Sequence, residues 1–255
     1  MEFIQITKEN IEHEHICCAL GAKQYKDAVS EKKKWLRARM DDGLVFYRLN
    51  ERAKTFIEYV PAERAWVPIH APNYMYINCL WVSGKYKKQG YAKQLIDYCK
   101  RDAISRGMDG IVHIVGKKKY PYLSDARFFE HVGFEIVDEV EPYFQLMMLK
   151  FNEQADDPTF KRQSRSAVEH DKGIHIYYTV QCPFAVGILD DLREVAEQNQ
   201  IPFSTKMITT TEQAQSAPTI WTTFGLFYNG KFITHEIMSA NKFEKLLTKL
   251  LAEDK

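Results

Sequence analysis

The segment from Trp81 to Ile96 combines residue types that can bind a phosphorylated ligand. An apolar stretch is followed by a basic turn that contains Gly84 and Gly90, and an amphipathic helical pattern begins directly after it. Backbone N–H groups in such a turn converge on phosphate oxygens, and the positive end of the helix dipole faces them. Gly90 and the small Ala92 allow a ligand to approach the main chain closely. We therefore predict a coenzyme site whose binding residues in the turn are Lys87, Lys88, Gln89, Gly90, Tyr91, Ala92 and Lys93.

The spacing Lys87-x-x-Gly90-x-Ala92 resembles the pyrophosphate loop of the GNAT acyltransferases. The resemblance implies acetyl-CoA as the cosubstrate, and it implies that the preceding strand binds the pantetheine amides through main-chain groups of Leu80 and Val82. Lys87 stands where the family usually has Gln or Arg. A lysine holds phosphate as a point charge without the forked geometry of arginine, so backbone amides are expected to dominate binding. An ordinary strand-to-helix turn with solvated lysines is the alternative.

The run Phe128-Phe129-Glu130-His131-Val132-Gly133-Phe134 resembles a second GNAT motif, a helix that ends in Gly-Phe. Many GNAT enzymes carry a tyrosine at the position of Phe129, where it protonates the departing CoA thiolate. A phenyl ring has no proton to give, so another residue or water must act. Tyr143 is the first candidate for this acid, followed by Tyr122 and Tyr120.

An amine acceptor needs a general base, because an ammonium group is not a nucleophile until it loses its proton. Glu58, at the end of the strand that faces the coenzyme-binding strand, is the first candidate. Glu63 and His113 are the next two. A surface position for either acid, and a core position for the histidine, are the structural alternatives.

The pattern changes after residue 172 to a new βαβ unit, and this part resembles the thioredoxin and glutaredoxin fold. The resemblance rests on Cys182-Pro183-Phe184 at a strand-to-helix junction, on Ala217-Pro218-Thr219 at the position of the family's cis-proline, and on the Asn229-Gly230 hairpin turn. Ala185 replaces the second cysteine, which excludes two-cysteine disulfide exchange within this motif. Cys182 at a helix N-cap is expected to form a reactive thiolate, although a vestigial thiol is the alternative.

These patterns predict an α/β (α+β) protein with three parts. Residues 1–151 are expected to form a GNAT fold around a mixed, mostly antiparallel sheet. Residues 152–172 are expected to form a linker, since they are polar and include the basic run from Lys161 to Arg165. Residues 173–255 are expected to form a smaller thioredoxin-like βαβ-ββα domain of the YoaP type.

Composition argues against nucleic-acid coating, membrane insertion, disulfide bonds and metal binding. A net charge of +1 argues against a protein that coats nucleic acid, and no apolar run is long enough to span a bilayer. Five cysteines without a CxxC pair fit a reducing compartment, so we expect a cytoplasmic protein without disulfides. The run from His13 to Cys18 lacks a second cluster at zinc-finger spacing, and no metal is predicted.

The sequence therefore predicts an acetyltransferase that moves the acetyl group of acetyl-CoA to a primary amine of a small molecule or peptide. The thioredoxin-like domain would recognise the acceptor or a partner. The alternative function is an acetyl-CoA-binding sensor, or a thiol-reactive binding protein that uses Cys182.

Overall fold

The computed structural model describes residues 2–16, 18–161 and 172–254. Its first part contains a mixed sheet of eight strands with three helices packed on it, and two further short strands. The strands are β1 (Phe3–Ile6), β2 (Val45–Leu49), β3 (Thr55–Pro61), β4 (Ile69–His70), β5 (Tyr74–Val82), β6 (Gly110–Gly116), β7 (Ser124–Asp125), β8 (Glu135–Val140), β9 (Phe144–Lys150) and β10 (Thr159–Phe160). The helices are α1 (Lys26–Arg39), α2 (Tyr91–Ser105) and α3 (Ala126–His131).

The spatial order of the large sheet is β1-β2-β3-β5-β6-β9-β8, with β7 beside β6. Most neighbours are antiparallel, but the central pair β5 and β6 is parallel. All seven residues of β6 are buried, as expected for a strand covered on both faces. The predicted mixed, mostly antiparallel sheet is therefore confirmed.

The two central strands separate partway along their length. They pair only from Tyr74 to Tyr76 on β5 and from Gly110 to Val112 on β6. Beyond Tyr76, the remaining residues of β5 pair with β3 alone. The separation opens a cleft at the carboxyl end of β5, directly before the basic turn.

The second part contains a four-stranded sheet in the order β12-β11-β13-β14. Its strands are β11 (Ile174–Tyr178), β12 (Phe203–Met207), β13 (Phe224–Tyr228) and β14 (Lys231–Thr234). Its helices are α4 (Pro183–Gly187), α5 (Leu189–Gln198), α6 (Thr211–Gln215) and α7 (Ala240–Glu253). The parallel pair β11 and β12 and the antiparallel hairpin β13 and β14 match the expected βαβ unit and hairpin.

Three details of the second part differ from the sequence expectation. The helix expected after Cys182 divides at Ile188 into α4 and α5, directly after Gly187, a weak helix former. A Cβ on Gly187 would lie 2.3 Å from a ring carbon of Tyr25, so the close packing of α4 on the first part requires glycine there. The peptide bond before Pro218 is trans, and the cis bond in the described chain precedes Pro142. The segment after α6 packs on the first part of the chain, and α6 itself was not predicted.

The segment predicted as a linker contributes to the fold in its first half. Strand β10 pairs with β4, and the backbone N–H of Phe160 donates to the Asp138 carboxylate at 2.8 Å. Pro158 and Phe160 are buried, so this stretch packs despite its polar composition. The rest of the predicted linker, with the basic run beyond Lys161, lies outside the described residues.

One hydrophobic core extends across both parts of the chain. Trp221 and Phe227 from the second part belong to the same cluster as Trp35 and Trp66 from the first. The indole N–H of Trp66 donates to the Thr211 hydroxyl at 3.2 Å, and polar contacts of this kind continue along the interface. The two halves therefore stabilise each other. None of the helices that the structure describes is long and apolar enough to cross a membrane.

Candidate active site

A cavity of about 840 Å³, the coenzyme cavity, lies where β5 and β6 separate. Its walls come from β5, from the basic turn and the start of α2, and from the segment between β6 and the end of α3. A volume of several hundred cubic ångströms is typical of cofactor sites. The sequence-predicted residues that line it are Leu80, Val82, Lys87, Lys88, Gly90, Tyr91, Ala92 and Lys93.

The basic turn has the backbone geometry that binds anions. Gly84, Lys88 and Gly90 have φ of 59°, 60° and 81°, so three residues of the turn have the left-handed conformation that occurs in anion-binding backbone nests. Gly90 is the N-cap of α2 and supplies no side-chain cap, and the first turn of α2 carries no acidic residue. The first N–H groups of the helix thus keep their capacity to bind phosphate oxygens. A diphosphate with an extended pantetheine arm fits this combination of turn and cleft.

Gln89 is the predicted contact that the structure does not place in the cavity wall. Its side-chain amide donates to the carbonyl of Lys85, which closes the turn on itself. Lys119, from the run of three lysines, does line the cavity, whereas Lys117 forms ion pairs with Glu139 and Glu141. Phe129 also lines it, so the position of the usual tyrosine faces the coenzyme with an apolar ring.

A second cavity, of about 480 Å³, lies between the two parts of the chain, and we call it the interdomain cavity. The first part contributes residues of α1, β3 and β5, and the second part contributes the start of α4 and the segments on either side of the hairpin β13–β14. Five residues line both cavities: Asn78, Cys79, Trp81, Tyr122 and Trp221. The two cavities therefore meet at a shared wall, which we call the junction.

Glu58 lies in the wall of the interdomain cavity and is almost fully buried. One carboxylate oxygen forms an ion pair with Lys32 Nζ at 2.9 Å, and the other accepts from Asn78 Nδ2 at 3.0 Å. The register between β3 and β5 shifts here, because Glu58 pairs with Cys79 while Tyr59 pairs with Ile77. The irregularity leaves Asn78 as the extra residue of β5, and bulges of this kind commonly redirect side chains next to active sites.

Tyr143, the first acid candidate, lines neither cavity. Its hydroxyl donates to the carbonyl of Ile233 at 3.1 Å, and its ring packs against Phe232 and His235. Tyr143 thus serves the contact between the two halves, a role that its sequence neighbourhood does not reveal. The structure does not bring it to the junction.

Tyr122, the second acid candidate, lies at the junction. Its φ of 64° is unusual for a bulky residue, and backbone strain of this kind is concentrated at functional sites. Burial raises the pKa of Tyr122 to about 12, so its phenol carries a proton at neutral pH. It can therefore act as a proton donor.

The other two base candidates are less suitable than Glu58. Glu63 accepts from the backbone N–H of Asn73 at 2.6 Å and lines neither cavity. His113 lines the coenzyme cavity, but burial lowers its pKa to about 4. Its Nδ1 lies 2.8 Å from the Ile77 carbonyl and so donates, while Nε2 accepts from the Ser124 hydroxyl at 2.8 Å. His113 is thus a neutral, fully hydrogen-bonded residue.

Cys182 is the N-cap of α4, followed by Pro183 at the first helical position. It lines the interdomain cavity together with Cys18 and Cys79. The four described cysteines form no disulfide, and Cys17 lies outside the described residues. Burial raises the pKa of the Cys79 thiol well above its usual range, and the neighbouring sulfurs of Cys18 and Cys182 add to this effect.

Among the described residues no group of three or more His, Cys, Asp or Glu side chains could hold a metal ion.

Two buried histidines make the stability of the fold sensitive to mild acid. Burial lowers the pKa of both His113 and His235 to about 4, against about 6.5 in an unfolded chain. The unfolded state binds more protons between these values, so stability is complete above pH 6.5 and falls as the pH drops towards 4. We expect each histidine to cost about 1.4 kcal/mol per pH unit in that window. Urea unfolding midpoints between pH 7.5 and 5 should decrease steadily, and a constant midpoint would contradict the burial of these rings.

Several residues at the site have no signal of their own in the sequence. Lys32 is 26 positions from Glu58 and lies on a different element, so their ion pair depends on the fold. Trp221 and Glu236 come from the second part of the chain, and Asn78 reaches the site through the register shift. Trp81 is 40% exposed, although the apolar sequence of its strand predicts a buried side chain.

Two family models and a full-length relative match this chain. The family model described as Acetyltransferase (GNAT) family matches residues 9–134, and the model described as YoaP-like matches residues 202–245. The chain is 63% identical over 250 residues to a Bacillus subtilis (strain 168) protein named "Uncharacterized N-acetyltransferase YoaP". The match covers 98% of this chain and 100% of that protein.

Solved structures resemble the first part of the chain. The PaiA N-acetyltransferase of Thermoplasma acidophilum, solved with coenzyme A, is 17% identical, with 59% of this chain and 100% of that chain covered and a TM-score of 0.41. The aminoglycoside 6'-N-acetyltransferase of Enterococcus faecium is 14% identical, with 61% and 100% covered and a TM-score of 0.44. On the strength of the full-length relative and the two family models, the chain belongs to the GNAT family of N-acetyltransferases, uses acetyl-CoA and carries a YoaP-like domain.

Proposed function

We propose that the chain transfers the acetyl group of acetyl-CoA directly to a primary amine of a small molecule or peptide bound in the interdomain cavity. The observation that carries this proposal is the junction, where the coenzyme cavity and the interdomain cavity share a wall. The proposal places the amine and the acyl group on the two sides of the junction, next to the five residues that both cavities share. This arrangement suits direct transfer, in which positioning supplies much of the rate.

In this proposal the basic turn and the N-terminus of α2 hold the diphosphate, and the open edge of β5 holds the pantetheine amides. Bound acetyl-CoA would supply the acetyl carbon and a thiolate leaving group. The N–C bond forms as the C–S bond breaks, so the amine must lose a proton and the thiolate must gain one.

Glu58 is the proposed general base. Each carboxylate oxygen has two lone pairs, so the contacts with Lys32 and Asn78 leave capacity for the proton of an incoming amine. The two contacts also hold the carboxylate in one orientation against the cavity. Glu58 thus combines a fixed position with direct access to the acceptor site.

Tyr122 is the proposed general acid, because Phe129 occupies the position where many GNAT enzymes have a catalytic tyrosine. We expect Tyr122→Phe to lower turnover about 10- to 100-fold, the lower part of the range for positioned acid catalysis, because the phenol proton is lost and the ring remains. Tyr143→Phe is the matched control and should change turnover little. Single-turnover rates of both variants test the assignment, and the reverse order of effects would return the role to Tyr143.

The second part of the chain, which contains the YoaP-like domain, is proposed to recognise the acceptor, since it supplies Cys182, Phe184, Trp221 and Glu236 to the interdomain cavity. Its thioredoxin-like character stays a prediction, as does the cytoplasmic location. A mass-spectrometric search for acetylated amines, in metabolite extracts incubated with the full-length protein and labelled acetyl-CoA, would identify the acceptor. Labelled products that depend on active protein are the expected result.

A second candidate function is supported by the three thiols of the interdomain cavity. The wall contains Cys18, Cys79 and Cys182. In this second function the chain binds acetyl-CoA, and Cys182 reacts with electrophiles and thereby signals their presence. In that case acetyl-CoA would bind without turnover, and modification of Cys182 would change its affinity.

The thiols should differ in reactivity. Cys182 is half-buried at a helix N-cap, whereas burial raises the pKa of both Cys79 and Cys99 well above the usual range. We expect iodoacetamide to label Cys182 faster than either of those two at neutral pH, and Cys182→Ser to leave acetyl-CoA binding intact. Mass-spectrometric labelling over a pH series measures the order directly. If Cys182 proves slower than Cys79 and Cys99, its proposed reactivity is wrong.

A further inference from the structure

The interdomain cavity has an unusual wall for a site that must admit an amine. Its lining is dominated by aromatic rings: Phe56, Trp81, Tyr122, Phe184 and Trp221. Pro121, Pro183 and Ile237 extend the apolar surface. A flat aromatic ligand body would bury its surface against these rings, and contacts between rings add to the stabilisation that burial alone provides.

Two of these rings are exposed in a way that a folded chain normally avoids. Trp81 and Tyr122 are 40% and 38% exposed, and both lie at the junction. The other rings are held firmly: Phe184 packs edge-on against Tyr25 at 4.9 Å, and Phe56 stacks on Phe46 at 5.2 Å. The cavity thus has a rigid aromatic floor and an aromatic rim next to the coenzyme.

The charges that line the cavity balance without a ligand, since Lys32 and Lys54 stand against Glu58 and Glu236. Glu58 is already paired with Lys32 at 2.9 Å, and Glu236 is paired with Lys242 at 2.5 Å. Lys54 adds a positive charge to the wall. A ligand with several ammonium groups would bury charges that no carboxylate could compensate, which is costly in an apolar site. One amine can use Glu58 and the faces of the rings.

We propose that the acceptor is a small primary monoamine with a planar aromatic body, whose ring lies between Phe184 and Trp221 of the second part of the chain and the rings of the first part. This inference rests on the proposed function, since it names the substrate class of the same site. An apolar surrounding disfavours the ammonium form, so the wall assists Glu58 in producing the neutral nucleophile. The second part of the chain then forms one side of the acceptor pocket.

The test compares acceptors with the full-length protein and acetyl-CoA. We expect kcat/KM, followed by mass spectrometry of the acetylated product, to be about tenfold higher for 2-phenylethylamine and tryptamine than for hexylamine, because contacts between rings add to the apolar burial that the alkyl chain also gains. Spermidine and a lysine-containing peptide should be poorer still. A preference for spermidine or the peptide would overturn the inference and leave the proposed function standing.

A variant pair ties the preference to the wall. Phe184→Ala should raise KM for the aromatic amine about tenfold with little change in KM for acetyl-CoA, because Phe184 lines the interdomain cavity and not the coenzyme cavity. Phe203→Ala is the matched control, since that half-buried ring lies on β12 outside both cavities. Equal effects of the two variants would overturn the inference.

Direct binding separates this inference from the proposed function. Tryptamine binding by calorimetry in the presence of CoA, weakened by Phe184→Ala, is the expected result and supports the pocket even if no amine is acetylated. In that event the proposed function fails and the aromatic site remains. Absence of both binding and acetylation of aromatic amines overturns the inference.

Discussion

Glu58→Gln is expected to lower the rate of acetyl transfer about 10²- to 10⁴-fold, the range for loss of a positioned general base. Glutamine keeps the shape of the side chain but cannot accept a proton from the amine. It also leaves the Lys32 ammonium buried opposite a neutral amide, so the variant should lose several kcal/mol of stability, about 3–5 in comparable cases. Single-turnover rates and urea unfolding of the same preparation measure both effects.

A double variant separates catalysis from stability. Lys32→Met combined with Glu58→Leu removes both buried charges at similar volume, and we expect it to regain most of the stability that Glu58→Gln loses. It should not regain turnover, because the base is still absent. If the double variant transfers acetyl groups at the wild-type rate, the Glu58–Lys32 pair is structural and the base lies elsewhere.

Gly90→Glu is expected to weaken acetyl-CoA binding by about two orders of magnitude or more, since each lost charge-assisted hydrogen bond costs about 1.5–3 kcal/mol. The new carboxylate would stand at the N-terminus of α2, where the phosphate oxygens must lie. The φ of 81° also disfavours any side chain there. Isothermal calorimetry with acetyl-CoA measures the loss.

Gly107→Glu is the matched control for this change. Gly107 has a φ of 68° just after the other end of α2, and a Cβ there would meet no atom within 4 Å. It therefore introduces the same charge and a similar backbone strain away from the coenzyme cavity. Equal affinities of the Gly90→Glu and wild-type proteins, or equal losses in both variants, would remove the basic turn from the coenzyme site.

The coenzyme side of the site could be predicted from sequence because its signals are local. The strand ending at Val82, the left-handed Gly90 and the helix after it are contiguous, and each reflects a backbone requirement that residue type reveals. The hairpin at Asn229-Gly230 was predictable for the same reason. The helix after Cys182 was predicted without its break, since the break coincides with packing on Tyr25, a residue far away in sequence.

The acceptor side depends on contacts between distant segments and could be predicted only in part. Glu58 was proposed as the base from its strand, but its partner Lys32 lies on α1. The choice between Tyr122 and Tyr143 as the proposed acid depends on which one the second part of the chain covers. The polar composition of residues 152–161 concealed strand β10, whose Phe160 is buried by the first domain. Nothing local in the sequence placed Trp221 at the junction.

Direct acetyl transfer is tested most directly by following CoA release and product formation together in the full-length protein, with acetyl-CoA and a panel of primary amines. We expect steady, amine-dependent CoA release with one acetylated amine formed per CoA, and its loss in Glu58→Gln while acetyl-CoA still binds. Tight acetyl-CoA binding without acceptor-dependent release for any amine, in wild type and variant alike, would contradict it and favour a sensor.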